Sequence, residues 1–224
     1  MANKHYRRSI DSLLTPRERR LFARLDTPDK IQSFIDTLPA NFELNGDTHM
    51  SPRRLIAARV AHCTEGAIFA AACLAYHGKP AYLMDLRALA SDQDHVVTLF
   101  KERGLWGAIS KTNHAILRWR DPIYKTAREL AMSYAHEYYL RGGKKSLIAY
   151  SRPFRVTRYA PKRWVTAPDN LDWLIVALDD SPHVALAPKV VLKHRRRASA
   201  FERGVVDQPE WPDPRKRKRA ANGK

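Results

Sequence analysis

The sequence predicts an α+β domain, and three observations carry that prediction. A helix with no polar face, AIFAAACLAY from Ala67 to Tyr76, lies in the first half of the chain. Three segments of strand character follow it at hairpin spacing: AYLMDLRA (81–88), DHVVTLF (94–100) and LWGAIS (105–110). Helical signals stand before and after these strands and do not alternate with them. A helix apolar on all sides is buried on all sides, and successive strands joined by short turns pair antiparallel. The expected architecture is therefore a central buried helix packed on a small antiparallel sheet. With 224 residues, 44% of them hydrophobic, the chain has material for one core of ordinary size.

The elements follow in chain order. Residues 1–30 carry the basic clusters Arg7-Arg8 and Arg17 to Arg20 on one or two short amphipathic helices. Ile31, Phe34, Ile35 and Leu38 recur at helical spacing, and Pro39 ends that helix. Asn45-Gly46 marks a turn within a loop. Ser51-Pro52 supplies an N-cap and a first-turn proline for a helix to Arg59. The buried helix follows and stops at His77-Gly78. After the hairpin, AILRW (115–119) reads as a short strand, and Asp121-Pro122 repeats the cap signature for a helix that ends at Gly142-Gly143. SLIAYSRPFRVTRY (146–159) reads as one or two strands around Pro153, and Asp169 as the cap of a last helix, NLDWLIVAL. The organisation expected is a basic helical segment at 1–30, the domain at 31–187, and a basic disordered tail at 188–224.

Charge narrows the partners. Lys and Arg number 40 against 23 Asp and Glu, a formal net of +17. From Lys193 onward there are 11 basic residues against 4 acidic ones, dense at Arg195 to Arg197 and Arg215 to Arg219. Such a balance favours a nucleic acid or another polyanion, bound through the basic termini. The bland reading of a charge run, a solvated terminus, stands beside it. The longest apolar run, Ala67 to Ala75, falls far short of the roughly 20 residues of a membrane span. The two cysteines, Cys63 and Cys73, sit about 15 Å apart if one helix carries both, too far for a disulfide. Two free thiols fit a reducing cytoplasm. Cys63, His62, His95 and His114 lack a recognisable zinc spacing, and no glycine-rich phosphate loop occurs.

Cys63 opens the buried helix. Unsatisfied N–H groups and the helix dipole favour a thiolate at that position, and a thiolate nucleophile needs a base nearby. His95 heads a strand of the sheet expected to cover the helix. A buried structural cysteine is the commoner fate of this residue type.

The run SPRRLIAARVAHCTEGAIFAAACLAYHGKPAYLMDL resembles the core motif of the transglutaminase-like superfamily, relatives of the papain-type cysteine proteases. The resemblance covers about residues 30–120. It matches a helix (51–59), a link (60–62), the nucleophilic Cys63, the small-residue helix, and Gly78-Lys79-Pro80-Ala81 leading into a strand. It implies a papain/transglutaminase-like fold, with His95 as the catalytic histidine and Trp106 in the returning strand. No cofactor is implied. The family's third member is usually Asp four residues after that Trp, and here the position is Ser110. Pairing Phe100 with Leu105 sets Ser110 opposite His95. Asn113 is the rival, since Cys-His-Asn sets occur in papain-like enzymes, and Asp121, better used as a helix cap, comes last. The function implied is a cysteine-dependent amide hydrolase or acyl transferase acting on a peptide or amide through a thioester. The alternative is an inactive scaffold of the same fold that binds a polyanion.

Overall fold

Three of the first four helices begin the same way, with a hydroxyl residue followed by proline. The computed structural model describes residues 2–206 and 208–215. Helix α1 spans Ala2–Leu13, α2 Pro16–Arg24, α3 Pro28–Asp36 and α4 Pro52–Ala58. Thr15, Thr27 and Ser51 each accept a hydrogen bond from the third helical N–H, while the proline occupies the first turn, where no N–H is needed. These helices and the α1–α2 link turn Ile10, Leu14, Phe22, Ile31, Ile35 and Leu55 inward onto helix α5, Cys63–Tyr76. Residues 1–30 thus contribute to the main core. Truncating one such buried side chain to alanine costs about 2–5 kcal/mol.

Helix α5 is buried from Thr64 to Tyr76. Its small residues let neighbours come close. A Cβ on Gly66 would stand 2.6 Å from the Cβ of Lys111, so only glycine fits there. The other side of α5 packs on an open sheet of seven strands, every pairing antiparallel: β1 (Tyr82–Ala88), β2 (His95–Glu102), β3 (Leu105–Ile109), β4 (Arg120–Tyr124), β5 (Leu147–Ser151), β6 (Phe154–Arg155) and β7 (His183–Ala185). The order is β4-β3-β2-β1-β5-β7, with β6 also on β1. The chain is thus mixed α/β with an antiparallel sheet and a central buried helix. Val96 and Phe100 face α5, while Val97 and Leu99 face a second core against helix α6, Ala127–Tyr134. Strands β5 and β6 follow the expected split around Pro153. No helix among the described residues is long and apolar enough to cross a membrane.

Five expectations are corrected. The β2–β3 hairpin closes on Arg103 (φ 49°) and Gly104 (φ 84°), a two-residue turn with both residues left-handed. Strand β2 therefore runs on to Glu102, and Glu102, not Phe100, pairs with Leu105. Residues 115–119 form no strand. Residues 120–124, expected to be helical from Asp121, instead form the edge strand β4, where Pro122 is tolerated. Thr126 caps α6, its hydroxyl accepting from Glu129 N–H, and α6 ends at Tyr134. The helix expected behind Asp169 is α7, Asp172–Asp179, preceded by Leu171 with no side-chain cap. Lastly, much of the tail expected to be disordered lies against the domain. It forms helices α8 (Lys189–Lys193) and α9 (Ala200–Arg203). Arg195 donates to the Lys145 and Leu147 carbonyls and Ala198 is buried. Arg197 and Arg203 likewise bond the carbonyls of Gly142 and Arg141. Of the cluster at Arg215 to Arg219, residues 216–219 lie outside the described residues.

Candidate active site

The first turn of α5 opens onto a cavity of about 260 Å³, walled by Cys63, His62, His95, Lys111, Tyr138 and Val206 among others. Cys63 is partly exposed there, whereas Cys73, three turns on, is buried. Burial pushes the Cys63 thiol up. Hydrogen bonds and charge from His62 and His95 outweigh that and hold its pKa well below the usual thiol value. Both imidazoles line the same cavity as the sulfur, which contacts the Thr64 hydroxyl at 3.8 Å.

His95 is held by Ser110. The Ser110 hydroxyl donates to the Leu117 carbonyl at 2.5 Å, so its only proton is committed. The 2.8 Å contact between Ser110 Oγ and His95 Nε2 must then be His95 Nε2–H donating to Ser110. That tautomer leaves Nδ1 as the nitrogen free for the thiol. Ser110 is itself fixed by Gln32, which accepts from its N–H at 2.9 Å and donates to its carbonyl at 2.9 Å. Ser110 lies one residue beyond β3, whose last pair is Ile109 with Thr98. The register differs from the expected one by two residues. A slip of two preserves which side chains share a face, so Ser110 still comes up beside His95 and meets it diagonally.

The other two candidates go elsewhere. Asn113 uses both ends of its amide on the Trp211 backbone, donating to the carbonyl at 3.0 Å and accepting from the N–H at 2.8 Å. It docks the C-terminal segment and makes no hydrogen bond to His95 among the described residues. Asp121 is exposed and accepts from Trp119 Nε1 at 2.8 Å.

The second imidazole, His62, is the feature the sequence reading missed. It occupies the N-cap position of α5. Its Nε2 donates to the Thr48 carbonyl at 2.7 Å, and in the neutral ring Nδ1 accepts from Thr64 N–H at 3.2 Å. Burial pushes its pKa down. The Cys63 thiolate, Glu65 and the Thr48 carbonyl outweigh burial and raise it to about 9. Nε2 is committed to the Thr48 carbonyl, so the extra proton goes on Nδ1 and displaces the hydrogen bond from Thr64 N–H. Glu65 backs this ring from a fully buried position. Its carboxylate accepts from Met50 N–H at 3.1 Å, His62 N–H at 3.1 Å, the Thr48 hydroxyl at 2.8 Å and the Asn41 amide, so its burial is compensated by hydrogen bonds. The signal was present in His62-Cys63-Thr64-Glu65, a capping box with histidine where serine or threonine is usual.

For a cation, the group with suitable spacing among the described residues is Asp85, Asp94 and Asp179, with ligand atoms within 4.8 Å of one another. Arg87 Nε lies 3.8 Å from Asp85 Oδ2 and already brings positive charge to it, and His183 Nε2 hydrogen-bonds the same oxygen at 3.0 Å. No protein-family model matches this chain, and no curated protein matches it. The chemistry is therefore read from the geometry.

Proposed function

We propose that this protein is a cysteine-dependent amide hydrolase or acyl transferase on a transglutaminase-like, papain-related fold. The observation that carries the reading is a thiol at the start of a buried helix that lines one cavity with two imidazoles, His62 and His95. In this reading the Cys63 proton passes to Nδ1 of His95. His62, with its pKa near 9, holds a second proton at neutral pH and is no base there. The two positive rings balance the thiolate and the buried Glu65 carboxylate.

The sulfur then attacks the amide carbon of a peptide or amide substrate, forming a C–S bond and an oxyanion. Collapse of the oxyanion breaks the C–N bond, and the leaving nitrogen takes the proton from His95 Nδ1. Water or an amine attacks the thioester next and gives its proton back to His95, and the thiolate departs. Ser110 orients His95 without adding negative charge. A cationic His62 stabilises the Cys63 thiolate and opposes positive charge on His95, so it does not replace a carboxylate partner of that ring.

One observation favours the second reading, an inactive scaffold. His95 hydrogen-bonds a hydroxyl, where related triads have a carboxylate or an amide. Incubation with a panel of acyl-peptide amides, read by release of ammonia or amine, separates the two. The proposal expects release that disappears in Cys63→Ser, together with covalent capture of Cys63 by an acylating electrophile. A protein that captures no electrophile at Cys63 at neutral pH would be the inactive scaffold.

A further inference from the structure

Away from the Cys63 cavity, α2, α3 and α4 enclose a groove of about 500 Å³. Four arginines line it: Arg17, Arg20, Arg24 and Arg59. The first three fall at i, i+3 and i+7 on α2 and share one face of that helix. All four are exposed, and their guanidinium groups make no hydrogen bond or ion pair with a described residue. No carboxylate lines the groove among the described residues.

The neighbouring arginines show that this is a sorted surface. Arg19, on the same helix, pairs with Asp11 at 3.1 Å. Arg53 holds Glu18, the one acid of α2, at 2.8 Å and turns its charge inward. Arg54 bonds Asn170 at 2.7 Å. Arg19, Arg53 and Arg54 of α2 and α4 are held by protein partners, whereas Arg17, Arg20, Arg24 and Arg59, which have none among the described residues, line the groove. Arg59 adds a second sign. It ends α4 with φ 60°, a left-handed position that favours glycine or asparagine, yet the chain keeps a guanidinium there.

The floor is apolar. Leu21, Ile56 and Phe34 line it half-exposed, and Phe34 is held from beneath by Phe69, ring centroids 5.2 Å apart. Arginine forks match phosphate oxygens, and a basic groove with an aromatic floor suits a backbone of phosphates whose bases are free to stack.

We infer that this groove binds single-stranded nucleic acid, with Arg17, Arg20, Arg24 and Arg59 on the phosphates and Phe34 under a base. An acidic peptide would use the arginines and leave the floor unused. A duplex would offer no free base face. The inference does not depend on the chemistry at Cys63.

The test uses the full-length protein and a fluorescein-labelled mixed-sequence 12-mer single strand, followed by anisotropy across a salt series. Contacts to about three or four phosphates give a log–log salt slope of roughly −2 to −3. Arg17→Glu/Arg20→Glu/Arg24→Glu should weaken binding at least about tenfold and flatten the slope by roughly 2. A control with the same charge change on other exposed residues, Lys125→Glu/Lys144→Glu/Lys162→Glu, should stay within about twofold of wild type. Equal loss in both variants would overturn the inference in favour of diffuse attraction. Competition by polyglutamate as strong as by unlabelled strand would assign the groove to acidic protein instead. If the triple variant does not fold, phenylglyoxal footprinting of the unaltered protein decides. The strand should shield these four arginines, and shielding confined to arginines beyond Lys193 would refute the groove.

Discussion

Cys63 and Cys73 lie on one helix, ten residues apart, and their thiols are driven in opposite directions. Burial alone acts on Cys73 and raises its pKa well above the ordinary value. Burial acts on Cys63 too, yet two imidazoles reverse its effect. Cys73 is surrounded by the helix's own apolar turn and the main core. Cys63 stands where the helix begins, next to its capping residue and the head of a strand. Residue type and helix are the same, so the difference comes from the groups that the fold delivers to each sulfur. At Cys63 the delivered groups carry protons.

The sharpest break of this comparison is selective alkylation. At pH 7, iodoacetamide should modify Cys63 at least about 100-fold faster than Cys73, read by peptide mass analysis. Next in size is His95→Gln. It should lower any amide turnover by about 10²–10⁴-fold, the usual worth of a positioned acid–base. A similar loss of turnover in His62→Gln would show that the two rings share that task.

His62→Gln sharpens the comparison by pH. Gln retains a donor for the Thr48 carbonyl and loses the charge. The folded-state pKa of His62 is raised from 6.5 to about 9, so its positive charge is fully present below 6.5 and disappears as pH rises through about 9. Removing that charge should raise the Cys63 pKa and slow alkylation about tenfold near pH 7, with little effect above pH 9. Ser110→Ala should slow turnover by about 3–10-fold through a looser His95, the scale of one hydrogen bond. Asp121→Ala should leave Cys63 reactivity within about twofold, because its carboxylate bonds Trp119 and caps no helix. The smallest expected effect is Cys73→Ala, a loss of about 1–2 kcal/mol in urea unfolding with Cys63 reactivity unchanged.

The contrast between the two thiols was partly legible in the chain. A helix with no polar face announces its own burial, so the place of Cys73 follows from its neighbours in sequence. The helix start also follows, because Cys63 precedes the apolar run. The convergence at Cys63 is a tertiary fact. His95 was reachable as the head of a β-branched segment, and Ser110 through pairing parity, which survived a register error of two residues because side chains alternate with period two. The Arg103-Gly104 turn set the true register, and KERG allowed more than one closure. His62 was missed because histidine is an unusual N-cap. Its backing by Glu65 and Thr48 needs the loop at 41–50 to fold over the helix start. Asp121-Pro122 misled because a cap signature and an edge strand tolerate the same dipeptide, and only pairing with β3 separates them. Asn113 failed as a partner of His95 because the C-terminal segment at Trp211 claims its amide.

The central claim is that two histidines set the charge of the Cys63 thiol, and the pH dependence of its alkylation in wild type, His62→Gln and His95→Gln tests it most directly. The account predicts a wild-type curve that rises to its plateau well below pH 9, and a shift to higher pH in each variant. A wild-type inflection at or above pH 9, unmoved by either substitution, would contradict it.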